Sequence, residues 1–482
     1  MTDTPESRGA IGTNRRDQLR KQWTRTGVAL DGLPPGPRAP AAAQAVLWGL
    51  RFPAFTSSAH RRFGPTFTVR IGGLGPSVVT TDRDGIRRLF SGDPLTRRHA
   101  SDQLKALFGE RTVVVLEPAE HLERRRLLLP TFHAESIRAF RGAIEDITRA
   151  AIDAWRVGEV VEILPFAQRL SLEVILQLLF GPSSPEARTE VREIFDSMVS
   201  LPGSAVGGYF PFLVRRSRWN VVGERYWRLR DRLDETLMTL LVEARTNPAP
   251  AEAGAPLPLM PTLSAQHGGP LSDLDLRDEM KALVTAGHET TATGLAWAFE
   301  YLAHTPRIQI AVHDAALSAE TNYLDAFVKE VLRIRPPVPI ATARRLTVPF
   351  QLGEFVIPAG VPILVNAFGL HHDPALFPQP EEIRVERFLD SAPDPYTYLP
   401  FGGGARHCIG WALAQLEMQI VLALVLGRFG LEPTGNQVAG IVRRGITLAP
   451  RNRARVRLTE PLPRSQAPAQ RDSNVRPGGP PS

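Results

Sequence analysis

The sequence predicts an α+β fold, predominantly helical, with a long central helix and small β-sheets. Three observations carry that expectation. Helical patterns broken by Pro and Gly recur from about residue 134 to 330. The run from Pro270 to Pro306 is continuous enough for one helix of roughly 30 residues, about 45–50 Å long at 1.5 Å per residue. Strand-like runs are segregated into a few patches instead of alternating with helices, which favours α+β over a parallel α/β sheet.

The 482 residues are 43% apolar and 22% charged, an ordinary globular balance with ample core. Residues 1–40 form a polar leader ending in the proline-rich "LPPGPRAP", Leu33 to Pro40. The leader has no apolar h-region, and apolar runs such as Ile420 to Phe429 are too short to span a bilayer. A cytoplasmic protein without a transmembrane anchor is therefore expected. Residues 41–462 read as a single domain and 463–482 as a disordered, Pro- and Gly-rich tail.

Within the domain, Phe67 to Asp82 is two strands about a "GGLG" turn. Val199 to Trp219 is a loop whose Tyr209, Phe210 and Phe212 suit a substrate entrance, a membrane contact or plain core packing. Ser272 is placed to cap the long helix, with Asp273 and Asp275 in its first turn and Pro306 as its stop. A second strand patch covers Leu346 to Asn366. Helix returns from Cys408 to about Phe429, and alternation returns at Ile441 to Pro450.

The net charge is +7, from 57 basic against 50 acidic residues. An anionic partner is one explanation and a solvated arginine-rich surface another. No zinc-finger spacing, basic–aromatic RNA motif or sustained basic stripe is present, so nucleic acid is not expected as a partner.

Four stretches carry candidate chemistry. "AGHETTATG" puts Gly and Thr, weak helix formers, in the middle of the long helix. Thr290 can bond back to the Ala286 carbonyl and bend the helix there. Small residues for close helix contact are the alternative. Glu330 and Arg333 lie at i, i+3 on one helix face, a spacing that matters only if the pair is buried and meets a further arginine such as Arg387. His121 and Arg125 lie at i, i+4, suited to capturing an anion or to a solvated helix face. Cys408, the only cysteine, sits in "FGGGARHCIG", just before a helix, with Arg406 two residues away. Glycines there let the backbone approach something flat or bulky, and a helix start favours a thiolate. A nucleophilic cysteine leaves the glycines and separated arginines unexplained. A zinc site needs more ligands, while a haem needs one thiolate, cations for two propionates and an apolar wall.

"FGGGARHCIG" resembles the haem-binding loop of the cytochromes P450, Phe-x-x-Gly-x-Arg-x-Cys-x-Gly, at Phe401, Gly404, Arg406, Cys408 and Gly410. "AGHETT" resembles that family's oxygen-activation stretch, "EVLR" its Glu-x-x-Arg pair, "VERF" the arginine that joins it, and "HLERR" its His-x-x-x-Arg contacts. Val385 departs from the proline the family often has there. The resemblance covers about residues 40 to 460 and is to the soluble bacterial type.

The resemblance implies a monooxygenase that inserts one oxygen atom of O2 into a hydrophobic small molecule by hydroxylation or epoxidation. Cys408 would be the axial ligand of the iron of haem b. Ala286, His121, Arg125, Arg344, Phe401, Arg406 and Gly410 would contact the haem. Glu289 and Thr290 would relay protons, and Glu330, Arg333 and Arg387 would be structural. Val338, Ile340, Thr342 and Ile446 would line the substrate pocket. Electrons would come from NAD(P)H through a separate ferredoxin and its reductase, with Arg124 and Arg126 as docking candidates. A monomer is expected. A peroxygenase or isomerase on the same fold, or a non-catalytic haem-binding protein, is the alternative.

Overall fold

The long helix forms as its ends dictate. In this computed structural model it spans Asp273–His304, 32 residues. The residues described are 32–71, 75–93, 96–99, 103–181, 185–199, 221–246, 259, 263, 271–318, 321–389 and 392–463. The Val199–Trp219 loop with Phe210 falls almost wholly outside them, as do the leader before residue 32 and the tail after 463. Ser272 Oγ accepts the Asp275 N–H at 3.2 Å, and the Asp275 carboxylate accepts the Ser272 N–H at 3.0 Å. This reciprocal pairing satisfies two of the donors a helix start leaves open. The helix stops at His304, and Pro306 opens the next one, Pro306–Ser318, where its missing N–H costs nothing.

A helix apolar on all sides must be enclosed. Leu276, Met280, Val284, Ala292, Leu295, Trp297, Phe299 and Leu302 are buried around its circumference. The helices Ile163–Phe180, Val221–Thr246 and Trp411–Leu426 pack along it. Ile163–Phe180 is long and apolar enough to cross a membrane by composition, but 72% of it is buried. Its apolarity belongs to the core contact with the central helix.

Twelve strands are described: β1 Thr66–Ile71, β2 Gly75–Thr80, β3 Arg97–His99, β4 Val160–Glu162, β5 Ile340–Leu346, β6 Phe350–Leu352, β7 Phe355–Ile357, β8 Pro362–Asn366, β9 Gly430–Pro433, β10 Ile441–Arg444, β11 Thr447–Pro450 and β12 Arg455–Thr459. The expected hairpin is β1–β2, with Thr66 opposite Thr80. It joins a five-stranded sheet in the order β1-β2-β8-β5-β3, in which β2 and β8 run parallel. The expected alternation near the C-terminus is the β10–β11 hairpin. The sheet β4-β12-β9 was not foreseen. Its strands are three to five residues long, and pairing of Val456 with Val161 joins segments almost 300 positions apart.

One buried ion network anchors the chain on its way to the cysteine loop. Glu330 and Arg333, on the helix Thr321–Ile334, are both inaccessible. Arg333 Nε and Nη2 donate to the two Glu330 oxygens at 2.8 and 2.9 Å. Arg387 Nε and the Arg384 N–H donate to the same Glu330 oxygen at 3.3 and 2.8 Å. Arg333 Nη1 also holds the carbonyls of His371 and Pro380. The spacing suggested a surface pair, yet tertiary folding buries it and adds the third arginine. Removing one member of such a network strands the other charge, at a cost of roughly 3–5 kcal/mol. Arg333→Ala should accordingly lower the unfolding free energy by about that much. Denaturant titration checks this, and a loss under about 1 kcal/mol would show that the network is dispensable.

Candidate functional site

The cysteine loop is shaped by close backbone approach. The Cys408 N–H donates to the Phe401 carbonyl at 2.9 Å, closing residues 401–408 on themselves. Gly402 has φ +70° and lies so near the Ala341 carbonyl that a Cβ would sit 2.9 Å from its oxygen. Gly404, at φ +65°, is equally tight against the Phe90 backbone. Only glycine meets both demands. The following helix starts at Trp411, with Gly410 at its N-cap.

Cys408 is exposed, yet burial pushes its thiol above the ordinary value. Both hold if the sulfur faces an internal cavity, open to a small probe but remote from bulk water. The Gly410 N–H and the Arg125 charge act in the opposite direction, toward thiolate. The central helix shows the matching gap. Thr285, Ala286, Gly287, Glu289 and Thr290 are only half-buried within an otherwise enclosed helix. Thr290 Oγ1 donates to the Ala286 carbonyl at 2.7 Å, the back-bond expected from the sequence. At Gly294 a Cβ would lie 3.1 Å from Met418 Sδ, so the helix after the thiol packs closely on the helix with the gap.

Beside the loop is a cationic cleft. His121, Arg344 and Arg406 line it with Leu89, Phe90 and Gly403, and among the described residues no carboxylate lines it. Burial, then the charges of Arg406, Arg125 and Arg344, hold the buried His121 imidazole down at about 3, so it is neutral at physiological pH. The helix Pro118–Leu128 presents His121 and Arg125, and β5 presents Arg344. Arg406 is lowered to about 10 by burial. Its guanidinium is partly engaged, donating to the Val113 and Val114 carbonyls at 3.3 Å. It therefore clamps the 113–116 segment as well as lining the cleft. Two arginines in a partly buried cleft, with no Asp or Glu in the lining among the described residues, fit a ligand that brings its own carboxylates.

Glu289 and Thr290 are adjacent in sequence but separately engaged. Glu289 accepts from Gln168 Nε2 at 2.7 Å and Thr447 Oγ1 at 3.5 Å, with Arg444 Nε at 3.6 Å. Burial raises its carboxyl above the usual range, against the opposing effects of Gln168 and Arg444. Among the described residues no hydrogen bond joins it to Thr290. Gln168, Arg444 and Thr447 were not anticipated, since nothing local marks residues from three other elements as partners of Glu289.

The other assignments fall as follows. Phe401 is partly buried against the main apolar core. Val338 and Ile446 are half-buried, the latter at the tip of the β10–β11 hairpin. Thr342 is buried with its hydroxyl unpartnered, and Ile340 packs against the apolar cluster around Trp48 and Phe52. Arg124 overturns the docking assignment. It is buried, pairs with Glu279 at 2.8 Å and Asp275 at 3.3 Å, and holds the Arg111 carbonyl. Arg126 is exposed. Among the described residues no group of three or more His, Cys, Asp or Glu side chains could hold a metal ion.

The family model for cytochrome P450 matches residues 34–456. Cytochrome P450 135A1 of Mycobacterium tuberculosis is 33% identical over 434 residues, covering 89% of this chain and 95% of that protein. Cytochrome P450 135B1 of Mycobacterium bovis is 33% identical over 449 residues, covering 90% and 93%. Among solved structures, a cyanobacterial CYP120A1 with retinoic acid bound superposes with a TM-score of 0.75 at 25% identity, covering 89% of this chain and 99% of that one. A six-coordinated cytochrome P450 from Thermus thermophilus superposes at 0.65 and 26% identity, covering 87% and 98%.

The helix behind the thiol carries a further buried acid. Glu417 accepts from Ser171 Oγ at 2.5 Å, and burial raises it from 4.5 to about 8. The folded protein keeps this proton while the unfolded chain loses it above about pH 4.5. Stability linked to Glu417 is thus full below pH 4.5 and is lost as pH rises through 8. Glu417→Gln, which cannot ionise, should flatten the fall in stability between about pH 5 and 8 by on the order of a few kcal/mol. Chemical denaturation across that range reads the difference, and parallel profiles for the two proteins would remove Glu417 as its source.

Proposed function

The chain belongs to the cytochrome P450 family of haem-thiolate monooxygenases, and on that premise we propose that it inserts one atom of O2 into a hydrophobic small molecule. The observation that carries the reading is the single thiol of Cys408, accessible yet raised by burial, beside a cleft that His121, Arg344 and Arg406 line with no Asp or Glu among the described residues. Those donors fit haem b: the Cys408 thiolate would hold its iron, and His121, Arg125, Arg344 and Arg406 would hold its two propionates. Bound haem supplies the activation of dioxygen, helped by electron donation from its thiolate.

The protein's own part is orientation, exclusion of water and proton supply. The Gly410 N–H and the closed 401–408 loop hold the sulfur, and Phe401 covers it. Coordination to a cation would overcome the burial that favours the neutral thiol. Ala286 and Gly287 leave room along the central helix. Thr290 holds a hydroxyl proton at that opening, resting on the Ala286 carbonyl. Glu289, its carboxyl raised by burial, stores a proton one position away. Its present partners, Gln168 and Arg444, require it to reorient before it can pass that proton on. Glu330, Arg333 and Arg387 keep a structural role.

The substrate is a hydrophobic molecule such as a terpenoid, steroid or fatty acid. Retinoic acid in the cyanobacterial structure is of that chemistry. Val338, Ile340, Thr342 and Ile446 remain the proposed contacts, although Ile340 also packs on the core. Electrons come from NAD(P)H through a ferredoxin and its reductase, and Arg126 remains a docking candidate. A cytoplasmic monomer completes the proposal.

Two measurements test it. The reduced, carbon-monoxide-treated protein should show the red-shifted Soret band of thiolate ligation, and Cys408→His should abolish it. A histidine-type spectrum from the unaltered protein would end the assignment of Cys408. Thr290→Ala should consume electrons severalfold faster than it forms product, releasing the difference as hydrogen peroxide. Unchanged coupling would take Thr290 out of proton delivery.

A further inference from the structure

The β10–β11 hairpin has a second side. Arg444 reaches Glu289 from one face of β10, and neighbouring residues of a strand point to opposite faces. Arg443 accordingly points away, into a separate cleft of about 420 Å3, within the range of small-molecule sites. Four guanidiniums line it: Arg443, Arg335, Arg51 and Arg451. Among the described residues no Asp or Glu lines it and no ion pair engages Arg51, Arg335 or Arg451.

The two inner arginines are held by aromatic rings and carbonyls. Arg443, 3% exposed, lies over the Phe52 ring at 5.2 Å and donates to the Trp48 carbonyl at 2.9 Å. Arg335 lies 5.3 Å from the Trp297 ring and 5.7 Å from Tyr301, and donates to the Ile334 carbonyl at 2.9 Å. Stacking fixes a guanidinium's orientation and leaves its charge in place, so Arg335, with no ion pair among the described residues, is preorganised without being neutralised. Arg51 and Arg451 are exposed at the rim. Four like charges around one concavity favour an anion between them, and the planar guanidinium fork suits phosphate or carboxylate.

The walls are apolar, with Phe52, Pro53, Ile441 and Leu448. An apolar track also leads outward. On the helix Ala41–Leu50, Val46, Leu47 and Leu50 are 47%, 37% and 61% exposed, and Leu50 itself lines the cleft. Positions 46 and 50 are one helical turn apart, so this stripe runs along one face to the cleft's edge. A basic pocket continuous with an exposed aliphatic stripe matches a molecule with an anionic head and an apolar tail.

We propose that this cleft binds an anionic amphiphile, an alkyl phosphate or carboxylate. Its head sits among Arg335, Arg443, Arg51 and Arg451, and its tail lies along Val46, Leu47 and Leu50. The ligand's source is a free amphiphile or a lipid at a bilayer surface, which share this chemistry.

The test uses the full haem-loaded chain with an azole filling the cavity at Cys408, so that binding there does not interfere. Calorimetry with dodecyl phosphate below its micellar concentration should give saturable one-to-one binding, and dodecanol should bind at least about tenfold more weakly. Arg51→Glu with Arg451→Glu should weaken dodecyl phosphate binding by about tenfold or more. Arg228→Glu, on the helix Val221–Thr246, should leave it unchanged. The rim substitutions are exposed, and an unaltered melting temperature checks that the fold persists. Co-sedimentation with phosphatidylglycerol vesicles, absent with phosphatidylcholine and lost in Leu50→Ser, would identify bilayer lipid as the source. Binding of dodecyl phosphate without vesicle binding would identify a free amphiphile. Equal binding of dodecanol, indifference to the rim reversals, or no binding of either probe would overturn the proposal.

Discussion

A 32-residue helix that must be enclosed on all sides constrains most of this structure. Each fully buried aliphatic side chain contributes roughly 1.5–3 kcal/mol, so covering both halves of the helix governs where its neighbours lie. The helix Ile163–Phe180 is apolar because it lies there, and Trp411–Leu426 comes close because Gly294 leaves room for Met418. Between Asp278 and Ala303 enclosure lapses only at Thr285, Ala286, Gly287, Glu289 and Thr290, where weak helix formers collect. Thr290 limits the damage by satisfying the Ala286 carbonyl with its own hydroxyl.

Charge is distributed by the same logic. Where arginines enter the interior with an acid, they tie elements together. Arg333 and Arg387 share Glu330, and Arg124 joins the 111–113 segment to the central helix through Glu279. Glu279 shows the strength of burial, which pushes it up to about 7 although Arg124 lies 2.8 Å away. The cleft around His121 and the one around Arg443 are different, since among the described residues neither has a carboxylate in its lining. Part of the excess of basic residues is thus concentrated where an anion from outside the chain would complete the charge.

The parts legible in the sequence were those with local causes. The cap at Ser272, the stop before Pro306, the hairpins at 66–80 and 441–450 and the glycine loop at Cys408 each depend on residues a few positions apart. Glu330 with Arg333 and His121 with Arg125 were visible as helical spacings. Arg124, one position before Arg125, looked like a surface cation and is buried, because helix rotation turns it toward Glu279, 155 positions away. The engagement of Glu289 by Gln168 and Thr447 was hidden for the same reason.

By itself the sequence determined the secondary structure of the long helix and its fault, the sole thiol in a loop only glycines can form, and the family to which these belong. Local hydrogen bonding and backbone sterics act over three to five residues, so a single chain segment records them. Only the tertiary structure decided which charges are buried in pairs and which are gathered around a cleft. It also decided that the two faces of one short hairpin serve two different clefts. Those outcomes depend on desolvation and on contacts across hundreds of residues, and no local pattern encodes either.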